Sequence, residues 1–193
     1  MIRIVRSYIT LTAISFIIFS CTDSKSDEGK TLLKTKDTTI TNKPIQEKTG
    51  EAGFELMKNE SVGELKLGLG IKKVIEIIGK PNEKTKAELW EADGEHHQKW
   101  KYSDKGIELD FIGEFDTSLT INMIAVNKAC ELKTKRNIGI GNSYEEVKAA
   151  YKDVIDQASL TEEIIVAGTV YGGLIFNFEN KKLKSIFIGA SAE

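Results

Sequence analysis

The residues best suited to chemistry lie together in the segment "DGEHHQKW", residues 93–100, which contains both histidines of the chain. Imidazole and carboxylate groups bind metal ions and transfer protons, so Asp93, Glu95 and His96 form one candidate site. Successive residues of a strand point to opposite faces, however, and His96 and His97 therefore cannot readily share one metal. A zinc site takes three or four ligands, and this segment offers two at most. The sequence favours a polar hairpin edge, with a metal-binding or enzymatic role as the alternative.

A Gly-x-Gly at Gly68 and Gly70, in "KLGLGIKKVIEIIGKP", is the second feature that could do chemistry. Backbone N–H groups at the start of a helix can bind phosphate when a glycine-rich loop precedes them. A dinucleotide fingerprint needs a third glycine, but Lys72 and Lys73 occupy its place, and the Gly-Lys-Ser/Thr of a P-loop is also missing. The segment therefore predicts the entry of a helix.

Cys130, in "NKACELK", is the remaining candidate nucleophile. A catalytic thiol needs a base beside it, and nothing in the sequence places one there. We predict a half-buried small side chain at this position. The expected protein is accordingly not an enzyme and holds no cofactor and no metal ion.

Four aromatic residues are candidates for binding a partner: Trp90, Trp100 and Tyr102 in the first half of the folded part, and Tyr171 in the second. Aromatic side chains anchor protein interfaces, but they also fill protein cores. An antiparallel sheet that carries helices on one face leaves the other face open. Such side chains lie in the core more often than at an interface, but if the chain binds a partner we expect the binding surface on that open face, with these aromatic side chains flanked by lysines.

Periodic patterns indicate the elements that position these residues. Ile71, Val74, Ile75 and Ile78 form the apolar stripe of a helix. Tyr144, Val147 and Tyr151 form a similar stripe later in the chain, after a possible cap at Asn142 or Ser143. The stretches around Trp100, Leu109, Met123, Phe176 and Ile186 alternate or are β-rich and predict strands, with hairpin turns at residues 92–94, 103–106 and 171–173.

The same order of motifs occurs twice. Aligning "LGLGIKKVIEIIG" with "IGIGNSYEEVKAAYKD" pairs Gly68 with Gly139 and Gly70 with Gly141, and "GIELDF" and "MIAV" likewise find partners in "GLIFNF" and "SIFI". We therefore predict an α+β fold of two tandem repeats, 63–128 and 129–193. Each repeat is expected to be a helical segment followed by a three- or four-stranded antiparallel sheet, with the helices on one sheet face.

The N-terminus has the pattern of an export signal. Arg3 and Arg6 precede an apolar run, residues 8–19, that is too short to span a bilayer comfortably and fits a signal peptide at residues 1–20. The sequence "IFSC" resembles a bacterial lipobox, in which the cysteine becomes the acylated N-terminus. The resemblance implies that Cys21 carries lipid and anchors the protein in a membrane of the cell envelope.

Residues 21–62 are polar and lack a sustained period, which predicts a flexible tether, with a short helical turn at residues 54–59 docking on the folded part. The formal net charge of the chain is −2, and nucleic-acid binding usually requires a clustered basic face. The expected partners are therefore the membrane and another protein of the envelope or cell surface, not a nucleic acid.

The spacing of Gly68, Val74, Gly79 and Pro81 resembles the recurring motif of small envelope lipoproteins of the BamE/SmpA-OmlA type. The tandem arrangement is similar to the β-lactamase inhibitor protein architecture. The second half departs from the motif, because residues 151–153 replace its Gly-x-Pro. The resemblance implies an outer-membrane lipoprotein, on the periplasmic face or the cell surface, that binds proteins, either as a scaffold of outer-membrane assembly or as an inhibitor.

Overall fold

The computed structural model describes residues 46–191, with side chains from residue 51 onward. The predicted signal peptide, Cys21 and most of the predicted tether lie outside the described residues. In chain order the elements are α1 (Gln46–Asn59), α2 (Ile71–Ile78), β1 (Glu83–Lys84), β2 (Glu88–Leu89), β3 (His96–Tyr102), β4 (Ile107–Gly113), β5 (Thr120–Val126), α3 (Tyr144–Tyr151), β6 (Ile164–Thr169), β7 (Gly172–Glu179) and β8 (Lys182–Gly189).

The eight strands of the described residues form one antiparallel sheet in the order β1-β3-β4-β5-β8-β7-β6, with β2 also paired to β3. Two meanders, β3 to β5 and β6 to β8, meet where β5 pairs with β8. This arrangement confirms the predicted mixed α+β class with an antiparallel sheet. The strands of the two meanders belong to one continuous sheet.

The two short helices begin where the sequence predicts. Gly70 precedes α2 in an extended conformation, and Gly79 ends it with φ of +83°, a value that glycine adopts without a Cβ clash. Ser143 caps α3 by accepting a hydrogen bond from the backbone N–H of Glu146, whose carboxylate in turn accepts from the Ser143 N–H. These ends confirm that the Gly-x-Gly before α2 is a helix entry.

One row of directly paired residues runs through the core from β3 to β6. Opposed residues of neighbouring strands point to the same face of a sheet, so each pair in the row brings its side chains together. All members of this core row are at most 3% exposed. The row consists of Trp100, Leu109, Ile124, Ile188, Leu174 and Ala167.

Helix α1 lies against β6 and β7 without any intervening side chain at its closest point. A Cβ atom at Gly53 would collide with the carbonyl oxygen of Gly172, and the ring of Phe54 packs on Gly172 itself. Met57 and Val62 are buried in the common core. Residues 54–59 therefore form part of a docked helix, in line with the helical turn expected there, and the helix begins earlier than expected, at Gln46, within the segment assigned to the tether.

The buried carboxylate of Glu60 connects three parts of the fold. It accepts hydrogen bonds from the backbone N–H groups of Ser61, at 3.0 Å, and Lys135, at 2.9 Å, and from the hydroxyl of Tyr151, at 3.0 Å. The Tyr151 hydroxyl also lies 2.9 Å from Oγ1 of Thr134, and burial raises the pKa of this tyrosine. The network ties the end of α1 to α3 and to the loop before it.

Candidate functional site

The structure buries two of the four aromatic residues that the sequence assigned to a binding surface. Trp100 is 3% exposed and Tyr102 is fully buried, and the Tyr102 hydroxyl donates a hydrogen bond to the Gly79 carbonyl at the end of α2. Burial also raises the pKa of Tyr102 to about 12. Trp100 and Tyr102 share one face, as predicted, and it is the core face, where large aromatic groups bury the most apolar area. Burial, the commoner of the two roles that the sequence left open, therefore holds for both, and neither is available to contact a partner.

The other two aromatic residues are exposed but far apart in the sheet. Trp90 is 36% exposed and precedes the turn between β2 and β3, at one edge of the sheet. Tyr171 is 64% exposed and lies in the turn between β6 and β7, at the opposite edge. These four residues therefore do not form one surface, because five strands (β3, β4, β5, β8 and β7) lie between β2 and β6, the strands beside the exposed pair.

A second row of paired residues crosses the other face of the sheet, and we call it the transverse row. Its first three members carry exposed charges of alternating sign, and the remaining members are apolar. Lys101 and Glu108 form an ion pair at 3.8 Å. Phe187 and Ile175 are only half-buried although they lie at the centre of the sheet. The row consists of Glu83, Lys101, Glu108, Ala125, Phe187, Ile175 and Val166.

A shallow cavity of about 370 Å³ lies at the charged end of the transverse row. Glu83, Lys101 and Glu108 of the row line it, together with Lys99 and Met123. Lysine and glutamate side chains alternate along its walls, and the thioether of Met123 lies where the apolar part of the face begins. The cavity can therefore take a group that carries both an apolar body and a polar tip.

The side chains nearest to an active-site arrangement form the His97 cluster, which consists of Trp90, Asp93, His97 and Asp110. The His97 side chain is 4% exposed, and its Nε2 lies 2.8 Å from Oδ2 of Asp93. On the other side of the ring, Nδ1 lies 3.6 Å from Oδ2 of Asp110, too far for a hydrogen bond. The Trp90 ring stacks on the imidazole, with centroids 3.9 Å apart and planes inclined by 11°.

The two carboxyl groups of the His97 cluster lie in opposite environments. The backbone N–H of Glu95 and the ring of His97 hold the pKa of Asp93 below its usual range. Burial raises the pKa of Asp110, and the nearby His97 and Lys99 only partly oppose this effect. Nδ1 of His97 and Oδ1 of Asp110 are both buried without a hydrogen-bond partner. Two unpaired polar atoms in one cluster are costly in free energy, which marks this position as unusual.

The candidate site predicted at Asp93, Glu95 and His96 is not assembled. Asp93 contacts His97 instead, and Nδ1 of His96 lies 3.1 Å from the carbonyl oxygen of Glu114. Adjacent strand residues point to opposite faces, so the two histidines are separated as expected. Within residues 51–191, no three His, Cys, Asp or Glu side chains converge closely enough to hold a metal ion.

Cys130 is buried at the start of the loop after β5, and among the described residues it forms no disulfide. Burial raises the pKa of its thiol, which lowers the fraction of thiolate at neutral pH. The position is more buried than the sequence predicted. A buried thiol of raised pKa is a poor nucleophile, so the packing role predicted for Cys130 is the one that fits.

The chain matches no family model, no curated protein and no solved structure. No helix among residues 46–191 is both long and apolar enough to cross a membrane. The transverse row and the His97 cluster are the features of the described residues that bear on function.

Sequence reasoning missed Asp110, Ile175 and Phe187, which lie in these two arrangements. The sequence does contain a signal for Asp110. The segment "GIELDF" alternates, so Asp110 lies on the face away from the core, and Lys99 lies on that same outer face. The row through Phe187 depends on the pairing of β5 with β8, and the sequence contains no local signal for that pairing.

Proposed function

We propose that the chain is a lipid-anchored protein of the cell envelope that binds another protein, without catalysis, through the transverse row. The observation that carries this proposal is the half-buried apolar end of the row, Ala125, Phe187 and Ile175, beside a charged end. Apolar side chains that stay accessible at the centre of a sheet lose contact with water when a partner covers them. An apolar centre with a charged rim is the usual anatomy of a protein interface.

The charges of the transverse row favour a protein over a polyanion. Lys99 and Lys101 face the acidic residues Glu83, Glu108 and Asp110 on the same side of the sheet. A nucleic acid or an anionic lipid surface is attracted by charge of one sign, and this face carries both. A protein partner with its own mixed rim can complement both signs at once.

We further propose that the folded part is a tandem duplication with the helices on one sheet face, as in the lipoprotein architecture that the sequence resembles. Equivalent hydrogen bonds support it: Gly68 N–H donates to the Ile121 carbonyl, and Gly141 N–H donates to the Leu183 carbonyl. Both glycines have positive φ, +79° and +89°. The β4–β5 and β7–β8 pairs each contain one register shift, at residues 110–111 and 177–178.

These hydrogen bonds change the alignment of the two halves. Gly68 corresponds to Gly141, not to Gly139 as the sequence alignment had it, and the N-cap Gly70 corresponds to the N-cap Ser143. The offset is then 73 residues from the two glycines to the last residues of α2 and α3, Ile78 and Tyr151.

Phe187→Glu is the test of the transverse row. We expect at least an approximately 30-fold loss of partner capture in intact cells after crosslinking, because a central aromatic anchor typically contributes about 2 kcal/mol or more to binding. The measurement compares the crosslinked complex recovered with wild type and with the variant. Thr117→Glu, in the exposed turn after β4, is the matched control because it adds the same charge away from the row.

Equal capture by wild type and Phe187→Glu, with unchanged melting temperatures, contradicts the transverse row as the interface. A wild-type protein that forms no saturable complex contradicts the binding function altogether. Capture that Thr117→Glu also loses would indicate an effect of net charge rather than of this surface.

Cys21→Ser tests the lipid anchor separately. We expect the wild-type protein to fractionate with membranes and the variant to be released, because two or three acyl chains hold a protein stably and a single chain does so only marginally. Mass spectrometry of the mature N-terminal peptide provides the direct measurement. A mature wild-type N-terminus without added acyl mass at Cys21 would rule the anchor out while leaving the transverse row untouched.

A further inference from the structure

All but one of the exposed large hydrophobic side chains of residues 51–191 lie at one end of the sheet. Because neighbouring strands are antiparallel, the end of β2, the β4–β5 turn and the β6–β7 turn emerge together at this end. The ring of Phe54 reaches it from α1, since it packs on Gly172. These side chains are 36–64% exposed, and we call them the apolar end: Phe54, Leu89, Trp90, Phe115, Val170 and Tyr171.

The opposite end of the sheet is polar. Its connections, residues 103–106, 127–129 and 180–181, consist only of Ser, Asp, Lys, Asn, Ala and Gly. The remaining exposed large hydrophobic side chain of the described residues, Ile164, begins β6 at this polar end. Exposed hydrophobic groups that gather on one part of a protein mark an interaction site, so the apolar end requires a surface that covers it.

The apolar end extends across the full width of the sheet. Neighbouring strands lie about 4.8 Å apart, so β2 and β6, which are six spacings apart in the sheet order, are separated by about 29 Å. Phe115 lies between β4 and β5, near the middle. Contact is thus offered at three separated points, one at each edge and one at the centre, and such an arrangement fits an extended surface.

The chain itself indicates which surface is at hand. The first element, α1, lies against the β6–β7 turn through Gly53 and Phe54, so the segment that carries Cys21 joins the fold through a helix beside the apolar end. Residues 22–45 are predicted to be a polar tether, and a flexible chain of that length has an end-to-end distance of about 27 Å. An anchored domain therefore stays close to the bilayer, where its high local concentration makes weak contacts sufficient.

The charge of the apolar end determines which lipids it fits. Anionic lipids attract basic segments and repel acidic ones. The two longer turns, residues 90–95 and 114–119, contain no lysine or arginine, so the bilayer that fits has zwitterionic headgroups. A basic protein would also match these turns, but the anchor brings only the bilayer to this end. The carboxylates of the two turns are Glu91, Asp93, Glu95, Glu114 and Asp116.

We propose that the apolar end rests on the headgroup region of a zwitterionic lipid bilayer, as a second membrane contact beside the acyl chains of Cys21. The contact rests on the lipid anchor proposed above. Trp90 and Tyr171 suit this position because amphipathic rings settle at the headgroup level. The sheet then stands with its strands along the bilayer normal, and the transverse row faces sideways, where a partner protein can reach it.

Quenching of tryptophan emission by brominated phosphatidylcholine tests the contact. The full-length acylated protein is reconstituted into vesicles with bromine on the upper part of the acyl chains, and its emission is compared with that in unbrominated vesicles. We expect the emission of Trp90 to fall roughly two-fold, because an indole at the headgroup level lies close to those bromines. The Trp90→Phe variant retains only Trp100, whose emission should not change because it is buried in the core.

The double variant Phe115→Ser, Tyr171→Ser removes the central contact point and weakens one edge. Both side chains are more than half exposed, so the melting temperature should stay unchanged while the quenching of Trp90 falls several-fold. Ile164→Ser is the matched control, because it removes an exposed hydrophobic side chain from the polar end and should leave the quenching as in wild type. Anionic phosphatidylglycerol in the vesicles should reduce the quenching, and added salt should restore it.

Protein that floats with the vesicles while Trp90 remains unquenched overturns the membrane contact and leaves the anchor standing. Protein that does not float and carries no acyl mass at Cys21 contradicts the anchor, and with it the contact that depends on it. Quenching that Ile164→Ser also loses, or that grows with anionic lipid, likewise overturns the contact. If Trp90 is unquenched on vesicles but becomes shielded from acrylamide in a crosslinked complex, the apolar end binds a protein instead.

Discussion

Trp100→Ala is expected to reduce the free energy of unfolding by about 4 kcal/mol, since replacing a buried tryptophan by alanine typically costs 3–5 kcal/mol. Trp100 begins the core row, packs against Phe111 with ring centroids 4.8 Å apart, and donates its indole N–H to Gln98 at 2.8 Å. The substitution removes these contacts and leaves the oxygen of a buried glutamine side chain unpaired. Denaturant unfolding of the purified folded part measures the loss.

Trp90→Ala is the matched control for Trp100→Ala, because it removes the same side chain from the same half of the sheet. Trp90 is 36% exposed and mainly contacts His97, so we expect a loss of only about 1 kcal/mol. Equal losses in the two variants would contradict the placement of Trp100 in the core. A stable Trp100→Ala variant that has lost a partner would instead favour the original surface assignment of Trp100.

Local patterns in the sequence were sufficient to predict the helices after Gly70 and Ser143. The stripe of Ile71, Val74 and Ile78 has the period of a helix, and the glycine and serine at the helix starts have direct conformational consequences. Both signals lie within one or two helical turns. They do not depend on where the rest of the chain lies, so the helices that they predict are the ones found in the structure.

The core face was harder to predict, although the sides of the strands were clear. Alternation correctly separated Trp100 and Tyr102 from Lys99 and Lys101, but alternation alone does not say which side is covered. The hydrophobic effect determines which side is covered. Burying the aromatic side removes more apolar surface from water, while the lysine side chains stay hydrated at little cost in free energy. The aromatic surface predicted from the sequence is thus the inside of the protein.

The arrangements that carry the proposed function arise from pairings between distant segments. Asp110 joins Asp93 and His97 only because β3 pairs with β4, and Phe187 joins Ala125 only because β5 pairs with β8. Local period and composition do not encode the partner of a strand or its register over such separations. The sequence therefore singled out residues 93–100 with His96 as the candidate, whereas the structure brings His97 to Asp93 and Asp110.

The Glu60 network, which contributes to stability, likewise depends on contacts between distant segments that local sequence patterns do not predict. Glu60 lies 75 residues from Lys135 and 91 from Tyr151, and the sequence assigned it to the tether. Its carboxylate is nevertheless buried, with hydrogen bonds from two backbone N–H groups and one hydroxyl. A buried carboxylate is tolerated only when such donors satisfy it, so the donors and the carboxylate depend on each other.

Glu60→Ala is therefore expected to reduce the free energy of unfolding by about 3 kcal/mol. The change leaves the N–H groups of Ser61 and Lys135 buried without an acceptor, and each such orphaned donor costs about 1–3 kcal/mol. Glu64→Ala, four residues later in an exposed turn, should change stability by no more than about 0.5 kcal/mol. Denaturant unfolding compares the two variants, and hydrogen exchange shows where protection is lost.

The pattern of lost protection separates a docking role from a merely local one. If Glu60 holds α1 to α3, its removal should release the amides of α1 and of the loop at residues 134–136 together, while those of β3 and β4 stay protected. Loss confined to the two residues beside position 60 would contradict the docking role. Similar losses of stability in Glu60→Ala and Glu64→Ala would show that the buried carboxylate does not stabilise the fold.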